Sequence, residues 1–251
     1  MRLKERRSLL VGAATGIGRD TARAFAAEGA QLVIADRNDE AGRNLVQQLQ
    51  ASGAPCEFVH VDVTDETEVR AMVDTTLEVL GGALDTLCNF AGLQYSGVVE
   101  DFATERWDSI FTTNVRSQFL VTKYAVPALR LGTNPAIVNM ASIAGLRGGP
   151  GMTAYSASKG AVIAFARALA NELAPTIRVN SVSPGWIDTP FNKAAIDFMQ
   201  GPERLEDFVQ HNVPLQRQGT PNEIAPLFVY LSSVESSYVT GQTIVIDGGL
   251  L

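Results

Sequence analysis

The sequence predicts an α/β protein in which a parallel sheet is covered by helices on both faces. Three observations carry that expectation. Short runs of apolar and β-branched residues recur along the whole 251-residue chain, longer segments with helical spacing lie between them, and no linker, repeat or low-complexity tract breaks the alternation. Residues 1–251 therefore read as one domain, and a hydrophobic content of 46% is enough to build its core.

Seven strands are expected, in order: S-L-L-V-G-A from Ser8, Q-L-V-I-A-D from Gln31, C-E-F-V-H-V-D-V from Cys56, D-T-L-C-N-F-A-G from Asp85, A-I-V-N-M-A-S from Ala136, I-R-V-N-S-V-S-P-G from Ile177 and T-I-V-I-D-G-G from Thr243. Helical patterns separate them: Arg19 to Glu28, closed by Gly29; Glu40 to Gln50; Glu66 to Leu80, closed by Gly81; a long one from Glu105 toward Arg130; Met152 to Leu173; and Asn222 to Ser232. Residues 186–218 break the rhythm, because Phe191, Phe198, Met199 and Phe208 follow no single period. Such an insertion before the last helix and strand reads as a lid over a substrate, or as an ordinary pair of surface helices.

Composition excludes several roles. With 20 basic and 27 acidic residues the net charge is −7, which gives no attraction to nucleic acid or an anionic membrane surface. No run approaches the roughly 18 apolar residues of a membrane span. The basic start at Arg2, Lys4, Arg6 and Arg7 precedes an apolar run that breaks at once into T-G-I-G-R-D, a first strand rather than a secretion signal. Cys56 and Cys88 have no CxxC partner, and with only His60 and His211 beside them no metal site is expected. Reduced thiols and a cytoplasmic location follow from the same pattern.

The first strand runs into G-A-A-T-G-I-G, so Gly12, Thr15, Gly16, Ile17 and Gly18 lead directly into a helix. Glycines let the backbone turn tightly and approach a ligand, and a helix start presents free N–H groups to a pyrophosphate. The second strand ends at Asp36, the acidic residue that would hold an adenosine ribose and repel a 2′-phosphate, which favours NAD. Arg37 beside it could instead clamp that phosphate. Asp62 ends the third strand and Asn89 lies in the fourth, ahead of Ala91 and Gly92, at the carboxyl edge where ligands bind in open parallel sheets.

A second cluster bears proton chemistry. In T-A-Y-S-A-S-K-G, Tyr155 and Lys159 stand at i and i+4 on one helix face. A phenol titrating near ~10 needs its anion favoured by roughly 4 kcal/mol to serve as a base near neutrality, and a lysine charge about 4 Å away supplies that much at an effective dielectric near ~20. In isolation such a pair is most simply an aromatic ring on a lysine stem. Ser142, after the fifth strand, could hydrogen-bond a reacting oxygen, and Asn114 is a poor helix former inside an apolar helix.

Together, the G-x-x-x-G-x-G spacing, N-F-A-G, Asn114, Ser142, Tyr155 with Lys159, P-G-W-I-D-T-P and the closing T-G-Q-T-I-V-I-D-G-G make the chain similar to the short-chain dehydrogenase/reductase family over essentially its whole length. It departs at Val11, where the family has threonine, and at Phe90, where it has asparagine or a small residue. The resemblance implies a single-domain Rossmann fold and hydride transfer between a secondary alcohol and a nicotinamide. Tyr155 would be the acid/base, Ser142 would orient the oxygen, Lys159 would support tyrosine and ribose, and Asn114 would hold a relay water. It also implies cofactor contacts at Val63, Pro184, Gly185, Ile187 and Thr189, and a homotetramer. The helix A-V-I-A-F-A-R-A-L-A from Ala161, apolar nearly all round, independently suggests an oligomer. Gln94, Tyr95, Ile143, Ala144, Met152 and Trp186 are candidate substrate contacts, a mixed set that fits a polyol, a cyclic alcohol or a β-hydroxyacyl chain. A ketoacyl reductase, and a dinucleotide sensor without turnover, are the alternative readings.

Overall fold

The computed structural model describes residues 1–251, in the order β1 (Arg7–Val11), α1 (Gly16–Ala27), β2 (Gln31–Asp36), α2 (Asp39–Ala51), β3 (Cys56–His60), α3 (Glu66–Leu80), β4 (Thr86–Asn89), α4 (Thr104–Phe111), α5 (Ser117–Leu129), β5 (Ala136–Met140), α6 (Ala144–Arg147), α7 (Thr153–Leu173), β6 (Arg178–Pro184), α8 (Lys193–Phe198), α9 (Pro202–Asn212), α10 (Pro221–Ser232) and β7 (Thr243–Ile246). All seven strands pair in parallel, in the order β3-β2-β1-β4-β5-β6-β7. The chain leaves β1 toward β2 on one side and resumes at β4 on the other, so the connections after these two strands diverge. A crevice results at their carboxyl ends.

Strand alternation sends successive side chains to opposite faces. Leu10, Ile34, Val138 and Val182 pack with Phe25 of α1, Leu45 and Leu49 of α2 and Phe228 of α10. Leu9, Val33, Leu87, Ile137 and Val179 pack with Val69 of α3, Leu120 of α5 and Ala166 of α7. Each large side chain so buried contributes about 1.5–3 kcal/mol. The basic start is used structurally: Arg7 forks onto Asp85 (2.9 and 2.8 Å) and ties β1 to the head of β4.

Helix starts differ in a way that matters for the site. Asp65 accepts from the N–H groups of Thr67 and Glu68 at the head of α3, and Asn38 from Ala41 at the head of α2. At α1 the Thr15 side chain caps nothing, which leaves the first-turn N–H groups available to a ligand.

One feature departs from the expected pattern, and one segment left open is now described. The long helix expected from Glu105 toward Arg130 is interrupted by a π-helical turn over Thr112–Arg116. Residues 186–218 fold into α8 and α9, preceded by one 3-10 turn at Pro190–Asn192, and so contain the pair of helices.

Candidate active site

A cavity of about 830 Å³ opens over the carboxyl ends of the strands, within the size range of small-molecule sites. At one end lies the glycine loop. Gly12 sits at φ +74°, and a Cβ there would collide with the backbone of Ala91, so the loop after β1 rests directly on the loop after β4. Asp36 lines the same end, its Oδ2 accepting from Ala14 N (2.9 Å) and its Oδ1 from Asn38 N (3.0 Å). Arg37, Asp62 and Val63 continue this wall. Asp62 is held below the usual carboxylate range, chiefly by the N–H and hydroxyl of Thr64. Across the crevice, Pro184, Gly185, Ile187 and Thr189 close the loop after β6 over Gly16.

The proton-bearing groups line the same cavity. Tyr155 and Lys159 are 6% and 2% exposed on the buried face of α7, one turn apart. Lys159 Nζ donates to Met140 O (2.8 Å) and lies 5.7 Å from the Tyr155 ring centre. Burial pulls the Lys159 ammonium down to about 8 and pushes the Tyr155 phenol up, with the Ser142 hydroxyl pulling the phenol back. Ser142 Oγ also accepts from Ala144 N (3.1 Å), which fixes the hydroxyl at the head of α6.

Asn114, fully buried in the π-helical turn, is not part of the cavity wall. Its Oδ1 accepts from Leu93 N (2.6 Å), while its Nδ2 donates to Leu93 O and Ser158 Oγ (2.9 Å each). Ser158 in turn donates to Tyr155 O (2.7 Å). The amide therefore ties the loop after β4 to the Tyr155–Lys159 turn, and each of its polar atoms has a protein partner. The extra residue of a π-helical turn, often found at functional sites, accompanies this capture.

Two further sequence expectations meet a different geometry. Asn89 is 2% exposed and donates to Asn139 Oδ1 across β4 and β5 (2.9 Å), beneath the cavity rather than in its wall. Tyr95 also lies outside the wall, with the Arg106 guanidinium over its ring at 5.2 Å. Phe90 lines the cavity and leans on Phe228, ring centres 4.7 Å apart, so the bulky replacement is absorbed by packing under α10.

Comparison with known proteins bears on this arrangement. A family model described as enoyl-(acyl carrier protein) reductase matches residues 12–251. The cyclopentanol dehydrogenase of Comamonas sp. is 40% identical over 99% of this chain and 98% of its own. The 3-oxoacyl-(acyl-carrier-protein) reductase of Thermotoga maritima is 37% identical over the full length of both chains. The chain belongs to the short-chain dehydrogenase/reductase family. A crystal structure from Agrobacterium tumefaciens, provisionally assigned as a gluconate dehydrogenase, superposes with a TM-score of 0.92 at 31% identity and covers 99% of this chain and 96% of that one. This short-chain dehydrogenase/reductase is thus an oxidoreductase of a family that uses a nicotinamide dinucleotide.

The residues present fit such a cofactor: uncapped N–H groups at the head of α1, a close-packed Gly12 and the carboxylate of Asp36 face one continuous cavity. Beyond Tyr155, sequence reasoning named Ser142, Gln94, Met152 and Trp186, all of which line the wall. It singled out Phe191, Phe198, Met199 and Phe208 as an irregular cluster, and they line it too. Arg147 and Leu250 were missed; they meet through Arg147 Nη1 and Leu250 O (2.8 Å), 103 positions apart in the chain, a separation no local pattern encodes.

Proposed function

We propose that this short-chain dehydrogenase/reductase interconverts a secondary alcohol and a ketone with NAD, Tyr155 acting as general acid and base. The observation that carries the reading is the meeting of Tyr155, Lys159 and Ser142 in one cavity that the glycine loop also lines. A nicotinamide dinucleotide bound there supplies the hydride acceptor in one direction and the donor in the other. Ser142 O–H orients the substrate oxygen, and the Tyr155 phenolate takes its proton on oxidation or the phenol returns it on reduction. Lys159 keeps a positive charge beside the phenolate. Asn114, spent on Leu93 and Ser158, holds the turn that presents both groups and is a positioning residue.

Asp36 supports NAD, because a 2′-phosphate would have to be desolvated against a carboxylate already fixed by Ala14 N. A second reading, a 3-oxoacyl-thioester reductase using NADP, is favoured by the full-length similarity to the Thermotoga maritima reductase and by Arg37 beside Asp36. Residues 186–218 act as a substrate lid, a role supported by the Phe191, Phe198 and Phe208 rings they place in the cavity. The protein works as a homotetramer in the cytoplasm. The exposed Trp107 and Phe119 of α4 and α5, and the free buried thiols of Cys56 and Cys88, support those two statements. No helix is long and apolar enough to cross a membrane.

The test is nicotinamide reduction across a panel of secondary alcohols with NAD and NADP in parallel. NAD-linked turnover that is abolished in Tyr155→Phe is expected; turnover confined to NADP would transfer the weight from Asp36 to Arg37.

A further inference from the structure

We propose that Arg116, the last residue of the π-helical turn, is a positioning residue for the adenosine half of the dinucleotide, acting through the loop after β3. The inference rests on the reading of the crevice as a dinucleotide site. It deepens that reading by naming a residue that shapes the cavity from outside its wall.

Residues 61–64 line the cavity together with Asp36. The register of β2 and β3 pairs Asp36 with His60, and Val61 N donates to Asp36 O (3.1 Å). The loop after β3 therefore stands next to the strand end whose carboxylate is assigned to the adenosine ribose. An adenine carried by that ribose has this loop as a neighbour.

Most of the loop's hydrogen bonds come from its own side of the crevice. Thr64 N and Oγ1 donate to Asp62 Oδ1 (2.9 and 2.7 Å), Asp65 N donates to Asp62 O (3.0 Å), and Asp62 N donates to Glu68 Oε2 (2.7 Å). These bonds set the loop's internal shape and its seat on α3. They leave open how far it stands from the segment after β4, on the other side of β1 in the sheet. The bond that crosses is Arg116 Nη1 to Thr64 O (3.0 Å), with Nη2 reaching Glu66 Oε2 (3.4 Å) at the first turn of α3. A planar guanidinium held at two N–H groups fixes direction as well as distance.

The turn that carries Arg116 has two other holds on the site. Thr113 lines the cavity, and Asn114 joins Leu93 to the Tyr155–Lys159 turn through Ser158. One helical turn thus reaches the loops after β3 and β4 and the cavity between them. The head of α3 does not depend on Arg116, because Lys123 Nζ and Tyr124 Oη of α5 both donate to Glu66 Oε1 (2.9 and 2.8 Å). Removing the guanidinium, which is 47% exposed, therefore frees the loop and leaves the helix docked.

The test compares Arg116→Met, which keeps the stem and loses every donor, with Arg116→Lys, which keeps the charge but cannot fork. Calorimetric titration with ADP-ribose, which lacks the nicotinamide, reads the adenosine half without turnover. Its Kd should rise about 5- to 10-fold in Arg116→Met and about 2- to 3-fold in Arg116→Lys. Backbone hydrogen exchange over residues 61–65 should quicken in ligand-free Arg116→Met, while α3 and α7 keep their protection. In steady state, KM for the dinucleotide should rise by the factor seen in Kd, with kcat at saturation and KM for the alcohol within about twofold of the wild type. A change in Kd under about twofold in Arg116→Met overturns the proposal. A lysine variant that binds as the wild type does overturns it too, by assigning the effect to charge alone. So does a loss of kcat in step with a lowered melting temperature, since general loss of structure would then explain the weaker binding. The two levels of inference separate on the wild type. If it binds neither ADP-ribose nor its 2′-phosphate, the dinucleotide reading falls and this proposal with it, whereas equal affinity in wild type and Arg116→Met removes Arg116 and leaves the dinucleotide reading standing.

Discussion

Replacing Lys159 with methionine removes a charge while filling nearly the same buried volume, and the structure sets the size of the effect. Nζ stands 5.7 Å from the Tyr155 ring centre. With the phenolate charge placed at that centre and an effective dielectric near ~20, the attraction is about 3 kcal/mol, or about 2 pKa units of the phenol. This is less than a separation of about 4 Å would give, because Nζ is drawn toward Met140 O. Burial pulls the ammonium down to about 8, so the charge is in place at neutral pH, and a phenolate beside it helps to retain the proton. In the oxidative direction, Lys159→Met should therefore lower kcat/KM by roughly 100-fold near neutrality. The limb on which activity rises with pH should move up by about 2 units, so the deficit shrinks once the wild type approaches its plateau. The assay is kcat/KM for the best secondary alcohol from about pH 6 to about pH 10, with dinucleotide saturating. A deficit equal at every pH would mean that Lys159 positions a substrate or ribose rather than stabilising the phenolate, and a loss under about 5-fold at neutrality would refute the electrostatic argument.

Three other outcomes follow. The folded Lys159 pKa is depressed from 10.5 to about 8, so between these values the unfolded chain binds the extra proton; the stability of the wild type relative to Lys159→Met should rise by about 3 kcal/mol over that window, as read by denaturant titration, and be flat below it. Asp36→Asn keeps an acceptor for Ala14 N and removes the charge, so the NADP-to-NAD ratio of kcat/KM should rise roughly tenfold or more; an unchanged ratio would show that Asp36 does not face the ribose. Asn114→Ala leaves both polar backbone groups of Leu93 unpaired and should cost roughly 2–4 kcal/mol of stability with lowered kcat, whereas loss of activity at unchanged melting temperature would argue for a direct water-holding role.

How much of this was legible in the sequence depends on how local each feature is. The Gln31–Asp36 strand and the Glu66–Leu80 helix appear with the bounds their patterns predict, because apolar spacing and an Asp65 cap are written within a few residues. Tyr155 and Lys159 were legible for the same reason: one helical turn places them on one face whatever surrounds it. Asn114 was only half legible. Its cost as a mid-helix residue signalled a use, but the π-helical turn and the clamp on Leu93 come from a tertiary contact between segments 21 positions apart. Asn89 and Tyr95 sit beside wall residues, yet which way a residue at or just past a strand end points is decided by neighbours such as Asn139 and Arg106 that no periodicity names. The part of the cavity wall proposed to meet the substrate is the least local, since Gly151 meets Phe198 and Arg147 meets Leu250 across long stretches of chain. On the proposed reading, the groups that move the proton are thus set by spacing within α7, whereas the groups that would choose the substrate are set by how α8 and α9 pack against Gly151, Ile143 and Leu250. Relatives named for a cyclic alcohol and for an acyl-carrier substrate can for that reason be similar to this chain at 40% and 37% identity alike. Exchanging residues 190–212 should accordingly alter which alcohol is oxidised while leaving the pH dependence set by Tyr155 and Lys159 in place.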